Sequence, residues 1–363
     1  MTMENNNINK TYGLAVQAVH TENGQDIVIQ NQNHFRINEI VVTVTSTVST
    51  TTDTPVTDNA TASDCVCVQK KHYNIVSLAA GEIWHSKDAK ETENKIEKTD
   101  SFVPFAHYEG KEQIIDPSLY DEEKGIYQGE PHHALVWPDD VTDEKWKRTL
   151  SFEPASHLKV TLEFIARGPR VAFCGHSFTG LWDSSYYYFR ELAKAAGWNA
   201  QIAYSYWGGT GISRYAGLAE GYEKRAAQCD ALLAANDYYD YFIIAGNSDE
   251  AVEKKDDASS GERVYAQRET MLRGAQIFLE KAKEKQATLA LWAPHAYKYG
   301  FFSSMGVKPW KKGNVGERYE KDGKTYTLTL TNEDMAKENL KWYQHMYWVR
   351  EQLYFLFARL TTM

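Results

Sequence analysis

An apolar run that ends in glycine and serine is the clearest candidate for chemistry in this sequence. Residues 171–174 are all apolar, and Gly175-His176-Ser177 follows directly. Residues 186–196 are predicted as a helix that stops at Gly197. A serine in a turn between a strand and a helix holds its hydroxyl near backbone N–H groups, which stabilise a developing anion. The pattern favours a serine nucleophile, with an ordinary serine at the start of a helix as the alternative.

The elements that must hold this serine alternate between strand and helix. Tyr188, Leu192 and Ala196 mark the predicted apolar face of the helix that follows it. Strands are predicted at 171–174, 201–206, 241–245 and 287–293, and further helices at 215–236, 263–285 and 331–360. Such alternation predicts a parallel sheet with helices on both faces, which is a three-layer α/β/α domain.

Glycine-containing and polar turns follow each predicted strand of this domain. Besides the turn with Ser177, they are Gly208-Gly209, Gly246-Asn247-Ser248 and Pro294-His295. Because ligands of parallel α/β sheets bind beyond the carboxyl ends of the strands, we expect the four turns to meet at one edge.

The first 165 residues are predicted to be mostly β-structure. Asn23-Gly24 lies between two apolar runs and is a strong hairpin signal, and apolar residues alternate with polar ones at 42–48 and 158–164. Arg167-Gly168-Pro169-Arg170 is interpreted as the domain boundary. The predicted organisation is therefore a β-rich accessory or attachment domain at 1–166 and an α/β/α domain at 167–363.

Composition excludes some classes of partner. The 363 residues are 42% hydrophobic and 25% charged, as in ordinary globular proteins, and the net charge of -9 argues against nucleic acid. No run approaches the roughly 20 apolar residues of a membrane span. Residues 1–10 are polar and carry no secretory signal, so we expect a cytoplasmic protein or part of an assembled particle. The 10 Trp and 23 Tyr suit a large core or a sugar-binding surface.

No cofactor or metal is expected. Gly209-Thr210-Gly211 lacks the third glycine of a dinucleotide fingerprint, and no phosphate-loop lysine pattern occurs. His132-His133 with Glu130 is interpreted as a solvated group without supporting ligands. The four cysteines have neither zinc spacing nor a disulfide framework, and we predict reduced thiols.

With these turns identified, residues 168–300 resemble the SGNH (GDSL-type) hydrolases, closest to the branch whose first block reads Gly-Asn-Ser-Phe-Thr. The matching blocks are Gly175-His176-Ser177-Phe178-Thr179, Gly208-Gly209-Thr210 and Gly246-Asn247-Ser248-Asp249. The resemblance implies that Ser177 attacks an ester carbonyl and that a histidine takes its proton. It also implies an oxyanion hole made by the N–H groups of Ser177 and Gly209 with the amide of Asn247. O-acetylated carbohydrates are a common substrate class in that family.

The chain departs from the family pattern in two places. The family's third-block asparagine stands two residues after the glycine, where this chain has Ser248, and Asn247 comes one residue early. The last block, Asp-x-x-His, is missing, because none of the eleven histidines has an aspartate three positions before it. His295 is the predicted substitute base, ahead of His176 beside the serine and of His345, which is interpreted as a packing residue. Asp183, Asp249 and Glu250 are candidates either to orient an imidazole or to cap helices.

Two functions remain open from the sequence. The first is a serine esterase acting on an acylated carbohydrate or another small ester, with Ser177 as nucleophile and His295 as base. The second is a catalytically degenerate relative that serves as a binding or structural module, for example in a virion or surface assembly. Neither predicts a nucleic-acid or membrane partner, and the amino-terminal domain is the predicted route to a homo-oligomer or larger assembly.

Overall fold

The chain divides into two compact units. Unit 1 comprises residues 1–102, 138–169 and 193–200, and unit 2 comprises residues 103–137, 170–192 and 201–363. The structure, a computed structural model, describes residues 12–22, 24–50, 65–93, 102–103, 106–108, 111–112, 120–121, 126–127, 143–176, 179, 185–247, 250–251, 267–294, 296, 298–302, 309–349 and 353–355. The predicted division of the sequence at residues 166 and 167 stays a prediction. Residues 167–170, interpreted as the boundary, lie within a strand.

Unit 1 is built from two antiparallel sheets. One has the order β1-β2-β5 and the other the order β10-β11-β3-β4. The strands are β1 (Leu14–Thr21), β2 (Gly24–Asn31), β3 (Ile37–Thr50), β4 (Cys65–Leu78), β5 (Ile83–His85), β10 (Lys147–Ala155) and β11 (Leu158–Ile165), with a 3-10 turn at Ser86–Asp88 and the short helix α1 (Asp143–Trp146). The predicted hairpin at Asn23-Gly24 is confirmed for its two strands, which pair from Leu14 with Asn31 to Thr21 with Gly24.

Alternation of apolar and polar residues explains the core of unit 1. In β11, Leu158, Val160, Leu162 and Phe164 are buried, while Lys159 between them is exposed. They pack in one cluster with side chains of the other sheet, including Leu14, Ile27 and Ile29. Because successive side chains of a strand point to opposite faces, one face of each sheet supplies this core.

Unit 2 contains a seven-stranded sheet in the order β19-β15-β14-β12-β13-β6-β7. Its strands are β6 (Ala106–Tyr108), β7 (Lys111–Glu112), β12 (Arg167–Gly175, whose first three residues belong to unit 1), β13 (Asn199–Tyr206, whose first two residues belong to unit 1), β14 (Tyr241–Ala245), β15 (Thr288–Trp292) and β19 (Leu353–Phe355). The pairs β12–β14, β14–β15, β15–β19 and β13–β6 are parallel. Two smaller antiparallel sheets consist of β8 (Tyr120–Asp121) with β9 (Ile126–Tyr127), and of β16 (Phe301–Phe302), β18 (Lys324–Leu330) and β17 (Arg318–Lys321).

Helices alternate with the strands of the parallel sheet. They are α2 (Ser185–Ala195), α3 (Ile212–Tyr215), α4 (Glu223–Ala234), α5 (Gln267–Glu284) and α6 (Asn332–Val349). The chain is therefore a mixed α/β protein with several sheets, one of them largely parallel, and a β-rich amino-terminal region. Among the helices that the structure describes, none has the length and apolar composition needed to cross a membrane.

Three sequence predictions about the helices are wrong. The helix predicted at 215–236 is interrupted, because residues 216–222 form turns between α3 and α4. The helix predicted at 331–360 ends at Val349, and β19 follows it. The predicted apolar face of α2 is not buried, since Tyr188 and Leu192 are 53% and 71% exposed. Spacing shows which residues share a face but not whether that face is buried. Among the α2 side chains that the structure describes, only the polar Arg190 is buried, and loss of hydration lowers its pKa to about 9.

A buried carboxylate, Asp26, connects β2 to the segment after β5 in unit 1. Its oxygens accept hydrogen bonds from His85 Nδ1 at 2.8 Å, Ser86 Oγ at 3.0 Å and the backbone N–H of Lys87 at 3.0 Å. Burial raises the pKa of Asp26, but these three bonds lower it by more, so the pKa lies below its ordinary value of 3.8. The ionised form is therefore the one that the fold stabilises.

We predict that Asp26→Asn destabilises unit 1 by about 1.5–3 kcal/mol at pH 7, the usual range for hydrogen bonds to a charged group. A carboxyl with a lowered native pKa stabilises fully above its unfolded pKa, and this contribution disappears as the pH falls through the native value. The difference between wild type and variant should therefore shrink towards pH 2. Hydrogen exchange of β2 and β5 in urea, at pH 7 and at pH 2, measures this difference in the free energy of unfolding. Glu22→Gln, at the exposed end of the first hairpin, is the control. A difference independent of pH would contradict this account.

Candidate active site

The ends of β12 and β13 are bonded to each other at the edge of the sheet where the predicted turns follow. The carbonyl of Gly175, the last residue of β12, accepts the N–H of Trp207 at 3.2 Å and the hydroxyl of Tyr215 at 2.5 Å. Tyr215 lies in α3 and is fully buried. The turn after β13 is thus fixed against the strand that leads to Ser177.

His176 joins the end of β12 to its other neighbour, β14. It is 2% exposed, and its Nε2 donates to the carbonyl of Gly246 at 2.8 Å. Its own carbonyl and N–H both bond to the Thr179 side chain, at 3.0 and 2.9 Å. Because a carbonyl only accepts, Nε2 carries a proton here, and the ring serves to connect two strand ends.

The two described members of the predicted oxyanion hole, Gly209 and Asn247, are in contact. Asn247 Nδ2 donates to the carbonyl of Gly209 at 3.2 Å, 38 residues away in the chain. Since β12 lies between β14 and β13, this bond spans the end of the strand that leads to Ser177. A side chain built on Gly209 would meet no atom of the described residues within 4 Å. The N–H of Gly209 has no hydrogen-bond partner within the described part of the chain.

A buried carboxylate, Glu250, holds these two turns together. One oxygen accepts the N–H and hydroxyl of Ser213 at 3.0 and 2.7 Å, and the other accepts the N–H groups of Ile212 at 3.0 Å and Asn247 at 2.8 Å. Of the two roles considered for Glu250, it has the capping role, at the start of α3. Burial raises the pKa of Glu250, and its hydrogen bonds only partly offset this.

Gly211 is needed because this carboxylate lies against the backbone. A Cβ at Gly211 would stand 2.2 Å from Glu250 Oε2, far inside a van der Waals contact. Any larger residue would push Glu250 away from the N–H groups that it accepts. The position of Glu250 therefore depends on the glycine at 211, although the two residues are 39 positions apart in the sequence.

The remaining predicted site residues lie outside the described residues. They are Ser177, His295, Asp183, Ser248 and Asp249, together with the side chain of His345, whose backbone belongs to α6 as predicted. His295 follows β15, which is separated from β12 by β14. Two strand spacings are about 10 Å, so a base at His295 requires the chain after Trp292 to turn across the end of β14.

Sequence reasoning missed the side chains that border Gly209, namely Trp207, Arg214, Tyr222 and Arg225. Tyr222 and Arg225 were predicted within one continuous helix at 215–236, whereas Tyr222 lies in the turns between α3 and α4. A signal for this break was present. Gly217 and Gly221 have φ values of +70° and +80°, which a helix does not allow, and two glycines within five residues disfavour a helix interior.

Within the described residues, no group of three or more His, Cys, Asp or Glu side chains is arranged to hold a metal ion. The metal candidate at Glu130 and His132-His133 lies outside them. Cys174 and Cys229 are free, buried thiols with their sulfurs 3.1 Å apart, and burial raises the pKa of Cys174 well above its usual value. The side chains of Cys65 and Cys67 are outside the described set.

Comparison with known proteins gives no family. No family model matches the sequence, and no curated protein matches it. Among solved structures, the chain aligns with protein YxiM from Bacillus subtilis, with 10% sequence identity and a TM-score of 0.28 over 95% of this chain and 74% of that one. At this TM-score the similarity supports no conclusion about fold or function.

We predict that Glu250→Gln loosens both turns. An amide presents N–H groups to donors that need an acceptor, so the variant should lose about 1–3 kcal/mol of stability. The backbone amides of Ile212, Ser213 and Asn247 should exchange faster with solvent than in the wild type, which hydrogen exchange measures directly. Glu220→Gln, at an exposed position of the same unit, is the matched control. Unchanged exchange at all three amides would show that the carboxylate does not hold the turns.

Proposed function

We propose that this chain is a serine ester hydrolase that deacylates an O-acetylated carbohydrate, with Ser177 as nucleophile. The observation that carries the proposal is the contact of Asn247 with Gly209 across the end of β12. It brings the Asn247 amide next to Gly209, whose backbone N–H has no hydrogen-bond partner among the described residues, at the end of the strand that leads to Ser177. Donors in this arrangement suit the negative oxygen of a tetrahedral intermediate.

The reaction proceeds in two steps. Ser177 Oγ bonds to the acetyl carbonyl carbon, its proton passes to a histidine, and the carbonyl oxygen becomes the oxyanion near Gly209 and Asn247. The intermediate collapses, the sugar hydroxyl leaves with that proton, and the acetyl group stays on Ser177. Water then repeats the sequence, releasing acetate and restoring the serine.

The proposed base is His295. It follows β15, whose carboxyl end lies at the same edge of the parallel sheet as that of β12, the strand before Ser177. His176 is a weaker candidate because its Nε2 already donates to Gly246. With Nε2 protonated, only Nδ1 of this ring could accept a proton, and the ring is 2% exposed.

The finer architecture that we propose is the three-layer α/β/α arrangement of SGNH hydrolases. Strands β12, β13, β14 and β15 are separated along the chain by α2, by α3 with α4, and by α5. Right-handed crossovers between parallel strands put such helices on the two faces of the sheet. Residues 1–166 would then serve as an accessory or attachment domain.

A catalytically degenerate binding or structural module is the second candidate. The missing Asp-x-x-His block favours it, since an esterase needs a base and a group that orients it. In this function the bonded turns would form a rigid ligand-binding edge, and no ester would be cleaved.

Acetate release separates the two functions. We predict that the full chain releases acetate from 4-nitrophenyl acetate and acetylated xylan, and that Ser177→Ala lowers kcat by about a thousandfold or more. His295→Ala should cause a loss of similar size, because nucleophile and base act as one unit.

Ser185→Ala, eight positions further on in α2, is the matched control and should keep wild-type activity. Hydrolysis that persists in Ser177→Ala would refute the assignment of the nucleophile. A folded wild-type chain that releases no acetate from either substrate would favour the binding module.

A further inference from the structure

Two arginines and two aromatic residues form an alternating stack beside Gly209, which we call the Arg–aromatic stack. In order, it consists of Trp207, Arg225, Tyr222 and Arg214. The guanidinium carbon of Arg225 lies 5.0 Å from the ring centre of Trp207 and 4.5 Å from that of Tyr222. That of Arg214 lies 4.7 Å from the ring centre of Tyr222, on which both arginines therefore converge.

The stack is attached to the turn of the proposed oxyanion hole. Arg225 Nη1 donates to the hydroxyl of the buried Thr210 at 2.7 Å, and Arg214 Nη1 donates to the carbonyl of Gly209. Gly209 therefore accepts from Arg214 and Asn247 through the same carbonyl. A ligand group held by the stack would lie next to the ester that Gly209 and Asn247 receive.

Charge makes this surface unusual in a chain whose net charge is -9. Two guanidinium groups bond to neighbouring residues of the same turn, Arg214 to Gly209 and Arg225 to Thr210. Within the described residues, Arg214 has no carboxylate partner, and its bond to Gly209 uses one of five N–H donors. Stacking on an aromatic ring holds a guanidinium in a fixed plane while leaving its edge available for a planar acceptor.

We infer that the Arg–aromatic stack is a substrate subsite for the carboxylate of a uronic-acid residue in the acylated carbohydrate. A carboxylate matches the guanidinium fork with two parallel hydrogen bonds. The inference rests on the proposed function and adds to it the chemical class of the sugar that carries the ester. It makes Arg214 a specificity-determining residue.

The test compares two substrates on the full chain. Acetate release is measured with acetylated polygalacturonate oligomers, which carry carboxylates, and with acetylated xylan oligomers, which are neutral. We expect wild-type kcat/KM to be about tenfold or more higher for the uronate substrate. Arg214→Gln should lower kcat/KM for the uronate about tenfold more than for the neutral substrate, mainly through KM, because the lost contact acts in binding.

Arg214→Lys keeps the charge without the planar fork. Its kcat/KM for the uronate substrate should therefore lie between those of the wild type and Arg214→Gln. Arg318 is an exposed arginine of β17, and Arg318→Gln is the control, which should leave kcat/KM unchanged for both substrates. Equal wild-type kcat/KM for both substrates, or an equal loss of both in Arg214→Gln, would overturn the subsite while the esterase stands. A folded wild type that hydrolyses neither substrate refutes the proposed function, and the subsite with it.

Discussion

The structure around the candidate site depends on the buried carboxylate of Glu250. It accepts four hydrogen bonds from two turns that follow different strands, and so fixes the position of Gly209 relative to Asn247. Burying a carboxylate is costly unless donors surround it. Here three of the four donors are backbone N–H groups, at the start of α3 and in the turn after β14, and the fourth is the Ser213 hydroxyl. The carboxylate therefore gains hydrogen-bond donors, and the backbone N–H groups of both segments gain an acceptor.

The other bonds at this edge extend the connection across three neighbouring strands. His176 ties β12 to β14, Tyr215 and Trp207 tie β12 to β13, and Asn247 reaches over β12 to Gly209. Each of these contacts involves at least one main-chain group, so the edge is held by backbone geometry. A preorganised set of donors is what stabilisation of an oxyanion requires, because donors already in place need no rearrangement during the reaction.

Much of the fold could be predicted from the sequence, because local patterns specify strands. The alternation at 158–164 and the apolar runs before Gly175 and Gly246 correspond to β11, β12 and β14. The turns with Gly209 and Asn247 could be predicted as neighbours, because parallel strands end at a common edge. Their actual contact depends on the bonds of Glu250 to both turns, whereas the sequence offered Glu250 only as a candidate helix cap or imidazole partner. The Arg–aromatic stack depends on a chain reversal at Gly217 and Gly221, and the strand β19 on pairing with the distant β15. Long-range pairing of this kind leaves no local periodicity to detect.

The most direct test of the central claim is a crystal structure of the full chain after reaction with a fluorophosphonate, whose adduct imitates the tetrahedral intermediate. We expect phosphorus bonded to Ser177 Oγ, with the phosphonyl oxygen within about 3 Å of both the Gly209 N–H and Asn247 Nδ2. We also expect that Glu250 still accepts from both turns in the adduct. An unmodified Ser177, or a phosphonyl oxygen that contacts neither group, would contradict this claim.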